Sequence, residues 1–133
     1  MLTKEQRIFF RTEVLSNLDI EKIDAKECII YLASNHRYNS FIKINFKKKT
    51  LKFSRRFSGL TKDAIDERKI YIDIKDGRLS LSVLLDRFSV EIFVNGGKEV
   101  LSSRIYTPVE ANEISFIADG EVNMQVSKMD IIE

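Results

Sequence analysis

The stretch LSLSVLLDRFSVEIFVNGG, residues 79–97, alternates apolar and polar side chains twice, from Leu79 to Leu85 and from Val90 to Val94. Successive side chains of a β-strand point to opposite faces, so each run predicts a strand with one buried face. Asn95-Gly96-Gly97 then predicts a tight turn, because these residues tolerate positive φ. The stretch therefore predicts two neighbouring strands, with a third returning over 99–106.

The same period of two extends in both directions along the chain. Turn signals recur every 8–12 residues, which is typical of an antiparallel sandwich or barrel. We predict an all-β, two-layer antiparallel β-sandwich, in which Asp76-Gly77 closes a hairpin between strands 70–75 and 79–85 and Asp119-Gly120 forms another turn. The residues before Val14 alternate and favour a strand over the helix that a capping box at 3–6 would start, and 61–68 is a loop or one helical turn. Further strands are predicted at 28–32, 41–47, 51–54, 114–118 and 122–127.

Chain length and charge limit the kinds of protein and partner that are expected. The chain has 133 residues, enough for one domain, and a net charge of +2. Residues 28–62 hold nine Lys and Arg and no Asp or Glu, whereas the rest holds 13 basic and 20 acidic residues, a balance of −7. Such a stretch can face an anionic partner, although lysines that protect a sheet edge from pairing explain it more simply.

The start of the chain, its cysteine content and its apolar runs bear on location, membranes and cofactors. The start of the chain has no secretory signal and Cys28 is the single cysteine, which favours the cytoplasm, although a fragment would have lost its parent's signal. Apolar runs fall well short of the roughly 18 residues of a membrane span, so we expect no membrane partner. We expect no cofactor and no metal.

Catalytic groups are scarce. The single histidine, His36, lies in a polar run and is expected to be a surface loop residue, because a triad needs partners for it. Asn95-Gly96-Gly97-Lys98 lies between strands, whereas a phosphate-binding loop opens a helix. Asp86 and Glu91 could approach each other across the intervening turn as a glycosidase carboxylate pair, but exposed charges at a hairpin end are the favoured interpretation.

Basic residues alternate with aromatic residues around Phe46, Phe53 and Phe57. Rings beside phosphate-binding charges hold single-stranded nucleic acid. The alternation places Phe46 and Phe53 on the apolar faces of their strands, so a core position is favoured. Nucleic acid is therefore not the expected partner.

Two segments resemble a known family. Leu81–Gly97, continuing to Ser103-Arg104-Ile105-Tyr106, resembles the signature of the C-terminal module of glycoside hydrolase family 32, which includes invertases, levanases and sucrose-6-phosphate hydrolases. Leu51–Gly59 resembles the family's Leu-x-Leu-Asp-Arg-x-x-Ser-Gly segment. The match runs from about residue 28 to the end. The sequence departs from the family pattern at Ser54, Phe88 and Gly96, where the family usually has Asp, Ser and Asp.

The resemblance implies a concanavalin-like jelly roll that packs against a catalytic β-propeller. Residues 1–133 would form a single sandwich, the C-terminal module of a larger fructosidase whose propeller is absent. The propeller motifs cannot be assigned: the chain has no Trp, its one Pro is Pro108, and the dipeptide Glu27-Cys28 imitates the family's acid/base pair without the accompanying motifs. The resemblance therefore implies no catalytic residue here, and no enzymatic activity for this chain alone.

Three functions remain open. The first is an accessory module that stabilises the propeller and in some members of the family mediates dimers. Its partners would be the propeller, a second copy of the chain, or a fructan- or sucrose-type saccharide. The second is an autonomous lectin-like module, although the chain lacks Trp, and the third is a nucleic-acid-binding domain using residues 28–62. The candidate domain-interface or partner face consists of Lys43, Lys47, Lys52, Arg55, Arg56, Arg87 and Arg104.

Overall fold

The computed structural model describes residues 7–9, 13–34, 39–57, 67–86, 88–105 and 111–130. Within these ranges every regular element is a β-strand. In β2, for example, Val14, Leu18 and Ile20 are buried while the side chains between them face outward, as the period of two requires. The strands are β1 (Arg7–Phe9), β2 (Glu13–Lys22), β3 (Glu27–Ser34), β4 (Asn39–Asn45), β5 (Thr50–Phe57), β6 (Glu67–Tyr71), β7 (Arg78–Asp86), β8 (Ser89–Val94), β9 (Glu99–Arg104), β10 (Glu113–Ala118) and β11 (Val122–Asp130).

The strands form two antiparallel sheets. One has six strands in the order β1-β10-β3-β4-β5-β6, and the other has five in the order β11-β2-β7-β8-β9. Apolar side chains from the inner faces of both sheets form one core, as in other face-packed sandwiches. This confirms the predicted all-β, two-layer antiparallel sandwich. Its largest fully buried side chains include Phe53, Phe116, Leu18, Ile30, Ile42, Leu81, Leu85 and Ile92.

The hairpin predicted around Asp76-Gly77 is wrong: the turn is present, but the two flanking segments do not pair as neighbouring strands. Both residues have positive φ, 54° and 73°, but the turn closes a single bridge between Lys75 and Arg78. The preceding strand, β6, ends at Tyr71 and pairs with β5 in the six-stranded sheet, whereas β7 lies in the other sheet. Residues 72–74 therefore carry the chain across the sandwich, and the buried Ile72 and Ile74 fill the core along the way.

Two further connections cross between the sheets side by side, residues 23–26 and residues 119–121. The Asp24 carboxylate accepts the backbone N–H of Glu121, and the Asp119 carboxylate accepts the N–H groups of Lys26 and Glu27 at 2.8 and 3.1 Å. The N–H of Glu27, followed by that of Lys26, lowers the pKa of Asp119 below its usual value of 3.8. The predicted turn at Asp119-Gly120 thus joins strands of different sheets.

The start of the chain confirms a strand where the structure describes it. The alternation noted before Val14 falls on β1 and on the first residues of β2, and residues 10–12 between them lie outside the described ranges. The capping-box alternative at 3–6 also lies outside them. Of the segment 61–68, the structure describes only its last two residues, which begin β6.

Candidate functional site

The two family-like segments meet through Arg55. This residue follows Phe53 on the inner side of β5, is 7% exposed, and its guanidinium Nη1 donates to the backbone carbonyl of Arg104 at 2.9 Å. Arg68 in β6 donates in the same way to the carbonyl of Ser102 at 3.4 Å. A cleft of about 390 Å³ lies between these edges of the two sheets, lined by the three arginines and by Glu67 and Glu91. Arg55 and Arg68 therefore act as ties between the sheets, because their planar groups hold backbone carbonyls of the facing sheet.

Asp86 holds the turn between β7 and β8. Its carboxylate accepts the backbone N–H groups of Phe88 and Ser89, both at 2.7 Å, and the Ser89 hydroxyl at 3.0 Å. Glu91 lies on β8 opposite Leu84 and Ser102, and no hydrogen bond or ion pair joins it to Asp86. The geometry thus assigns Asp86 to local structure, in agreement with the preference for exposed hairpin charges over a catalytic pair.

Asn95 fixes the next turn. Its φ is 50°, and Gly96 and Gly97 follow at 73° and 96°, which confirms the predicted turn. The side-chain oxygen of Asn95 accepts the N–H of Ser80 at 3.2 Å, and its amide nitrogen donates to the carbonyl of Asp73 at 2.8 Å. Asn95 therefore links the five-stranded sheet to the connection that precedes β7.

The Glu27-Cys28 dipeptide is structural. Glu27 pairs with Lys43 at 3.1 Å on the outer face of the six-stranded sheet. Cys28 is fully buried, and burial, helped by the negative charge of Asp119, raises the pKa of its thiol from 9.0 to about 12. A thiol that stays protonated is a poor nucleophile, so Cys28 is not a reactive cysteine.

We expect Cys28 to resist alkylation in the folded protein. At pH 8 a thiol of pKa about 12 has far less thiolate than one of pKa 9.0, and burial also blocks the reagent. Labelling by iodoacetamide should therefore be at least about 100-fold slower in buffer than in 6 M guanidinium chloride. Mass spectrometry of timed samples measures both rates, and similar rates would contradict the buried position of this side chain.

The seven predicted face residues separate into groups. Lys43 and Lys52 lie directly opposite each other on the outer face of β4 and β5, and Lys47 is exposed in the turn between these strands. Lys69 on β6 extends the same row and was missed from sequence, because β6 does not alternate buried and exposed residues. Arg55 points inward and Arg104 lies on the edge strand of the other sheet, so neither belongs to that outer face. The side chain of Arg56 and all of Arg87 lie outside the described residues.

The aromatic residues near the lysines are core residues. Phe46 and Phe53 are 5% and 1% exposed, which confirms the predicted core position and leaves these two rings unavailable for stacking. Phe57's side chain and His36 lie outside the described residues. Among the residues with described positions, no group of three His, Cys, Asp or Glu side chains could hold a metal ion. The same part of the chain contains no helix long and apolar enough to cross a membrane.

Solved structures share this fold. The sandwich superposes on part of the exo-inulinase from Aspergillus awamori with a TM-score of 0.85 at 19% identity, covering 96% of this chain and 26% of that one. It also superposes on the sucrose-6-phosphate hydrolase from Lactobacillus gasseri with a TM-score of 0.74 at 20% identity, covering 93% and 28% of the two chains. At these identities the likeness concerns the fold alone.

Sequence relatives point the same way. A probable sucrose-6-phosphate hydrolase from Vibrio cholerae is 27% identical over 120 residues, 86% of this chain and 21% of the relative. The sucrose-6-phosphate hydrolase from Staphylococcus xylosus is 28% identical over 117 residues, 86% of this chain and 23% of the relative. The chain thus spans about a fifth of the length of these curated relatives. The family model described as "Glycosyl hydrolases family 32 C terminal" matches residues 6–133, and the chain therefore belongs to this family of C-terminal β-sandwich domains.

Proposed function

We propose that this chain is the non-catalytic accessory module of a fructoside-hydrolysing glycosidase, of the sucrose-6-phosphate hydrolase or invertase kind, and that it stabilises the catalytic propeller of its parent. The proposal rests on what the side chains of the family-like residues contact in the structure. Arg55, Asp86 and Asn95 each bind backbone groups of the sandwich itself, in a chain that covers only about a fifth of the length of its curated relatives. The residues that define the match thus maintain the module.

We also propose the surface through which it docks. We call the outer-face row Ile117, Ile29, Lys43, Lys52 and Lys69 the lysine row; these residues are directly opposite one another across β10, β3, β4, β5 and β6. Neighbouring strands lie about 4.8 Å apart, so the row spans roughly 19 Å. Tyr31 and Phe41 pack edge to face beside it, with ring centroids 6.2 Å apart. The row therefore combines an apolar end with a basic end, as partly polar interfaces within one parent chain do.

Charge supports an acidic partner for this row. Lys43, Lys52 and Lys69 occupy consecutive opposite positions, and like charges in such positions destabilise a sheet. Glu27 and Glu67 offset part of this repulsion through pairs of 3.1 and 3.3 Å to Lys43 and Lys52. Exposed pairs of this kind contribute little, on the order of 0–1 kcal/mol. An acidic surface on the propeller would relieve the remaining repulsion.

Mixing experiments test the accessory role. The chain alone should release no fructose from sucrose, sucrose 6-phosphate, inulin or levan. The catalytic domain of the parent, produced without this module, should gain thermal stability when the module is added, by about 2.7 kcal/mol at 100 times the dissociation constant. Fructose release by the purified chain, or a melting temperature of the catalytic domain that the module leaves unchanged, would contradict the proposal.

Charge reversal tests the docking row. The double variant Lys43→Glu/Lys52→Glu should weaken binding to the catalytic domain at least about tenfold at low salt, because two favourable charges become unfavourable. Lys98→Glu, in the exposed turn between β8 and β9 of the other sheet, is the matched control and should leave affinity unchanged. Isothermal titration calorimetry measures both. The exposed apolar residue Val100 lies on the five-stranded sheet, and loss of binding in Val100→Glu with no effect of the lysine variants would move the contact there.

A further inference from the structure

A hollow of about 630 Å³ lies on the outer face of the five-stranded sheet, away from the lysine row. It crosses β11, β2 and β7 and ends at Asn95, after β8. Its volume falls within the range of about 300–1,000 Å³ found for small-molecule sites. Its floor is the sheet itself, so the polar side chains that line it stand on regular, hydrogen-bonded strands.

Three adjacent strands place three unused polar groups in one row of this hollow. Gln125, Asp19 and Ser80 are directly opposite one another on β11, β2 and β7, and all three are exposed. Within the described part of the chain, no side-chain hydrogen bond or ion pair engages any of them. At inter-strand spacings of about 4.8 Å, the row offers an amide, a carboxylate and a hydroxyl over roughly 10 Å. Such a row can both donate and accept hydrogen bonds along an extended ligand.

The neighbouring side chains are held in place. Arg78 pairs with Glu21 at 2.8 Å, and the amide nitrogen of Asn123 lies 3.5 Å from the other carboxylate oxygen of Glu21. Asn95 is fixed by its two backbone contacts and adjoins Ser80 at the β8 end of the row. The unused groups are thus flanked on one side by the Glu21–Arg78 pair and at one end by Asn95, and such ordered neighbours reduce the entropy lost when a ligand binds.

The charge of the hollow selects the class of ligand. Its ionisable lining residues are Asp19, Glu21 and Arg78, and the Glu21–Arg78 pair leaves the Asp19 carboxylate in excess. An anionic ligand such as a sugar phosphate would be repelled, whereas the hydroxyl groups of an uncharged sugar would donate to this carboxylate. Phe93 lies one row further along the sheet, opposite Ser82, and offers an apolar surface for the C–H face of a sugar ring.

We propose that this hollow, which we call the Asp19 hollow, binds neutral oligosaccharides of the fructan class. Asp19 would accept sugar hydroxyls, Gln125 would donate and accept, and Ser80 would complete the row. The fructan class rests on the proposed parent enzyme, whereas the neutral saccharide class rests on the groups in the hollow alone. Because the hollow and the lysine row lie on opposite outer faces, a docked module would keep the hollow accessible.

Titration of the complete 133-residue chain with the tetrasaccharide nystose tests this proposal. Saturable binding in the millimolar range is expected, with NMR shifts at the amides of Asp19, Ser80 and Gln125 and none at Lys43 or Lys52. Asp19→Asn, which keeps the size of the side chain, and Gln125→Ala should each weaken binding about tenfold, the usual effect of losing a hydrogen bond to a charged group or a bidentate amide. Glu99→Ala removes an exposed carboxylate from the same sheet and should leave affinity unchanged.

Each of the other possible outcomes would refute one part of this proposal. A flat titration up to 50 mM, or binding that the two hollow variants leave unchanged, would refute the site. Equally strong binding of maltoheptaose would refute the fructan class, and tighter binding of fructose 6-phosphate than of fructose would refute the preference for neutral sugars. Failure of the propeller-mixing experiment would not alter these results, because they are measured on the module alone.

Discussion

Replacing Arg55 by alanine is expected to lower the free energy of unfolding by about 2–3 kcal/mol, the usual range for a buried hydrogen bond from a charged group. The guanidinium is 7% exposed and donates to the Arg104 carbonyl at 2.9 Å, so its loss leaves that acceptor without this donor and opens the cleft between the sheets. Urea unfolding followed by circular dichroism measures the change in free energy. A thermal melt of the same variant should show a fall in midpoint temperature of roughly 3–6 °C per kcal/mol.

Two further variants isolate the cause of this loss. Arg55→Lys keeps the positive charge but not the planar donor, and should recover only part of the stability. Lys47→Ala removes an exposed lysine from the turn that precedes β5, and should change stability by less than about 0.5 kcal/mol. If Arg55→Ala unfolds at the same urea concentration as the unmodified chain, Arg55 does not tie the sheets together.

Adding one methyl group at Gly120 is expected to cost about 3 kcal/mol, at the upper end of ordinary overpacking effects. A Cβ atom there would lie 2.6 Å from the carboxylate of Asp24 and 2.9 Å from the Cα of Ala25. Backbone atoms of the neighbouring connection would have to move, and with them the hydrogen bond from Glu121 to Asp24. Urea unfolding of Gly120→Ala measures this cost.

Gly96→Ala serves as the comparison. No atom lies within 4 Å of a Cβ at Gly96, so its expected cost of about 1 kcal/mol comes from the positive φ of 73° alone. The difference between the two variants therefore reports the close approach of the two connections. Equal costs at both positions would show that residues 23–26 and 119–121 do not pack as described.

The sequence predicted the strands well because burial on one face dictates a period of two. Leu79–Leu85 and Val90–Val94 fall within β7 and β8, and the turn at Asn95 has the positive φ values that its residues suggested. The same rule contains no information about the partner strand. Asp76-Gly77 has the residues of a hairpin turn, yet its two flanks belong to different sheets, because Ile72 and Ile74 are buried in a crossing segment rather than in a ladder.

Side-chain direction explains which residues of the candidate face were predicted correctly and which were not. Lys43 and Lys52 alternate with core residues and point outward as expected. Arg55 was grouped with them by charge, although its position two residues after the buried Phe53 placed it on the inner side of the strand. The Asp19 hollow was missed for a different reason: Asp19, Ser80 and Gln125 are far apart in sequence, and only the strand order brings them into one row.

The strand order also governs how the chain acquires its structure. Strand β2 pairs on one side with β7 and on the other with β11, so that Val14 lies opposite both Leu85 and Asp130. Contacts between residues this distant in sequence make the search for the native topology slow, typically milliseconds to seconds for sandwiches of this kind. During synthesis, β2 would emerge early and wait for its first partner until β7 has left the ribosome, and for its second until β11, the last strand, has followed. Until then its apolar face and open edge would be exposed to aggregation.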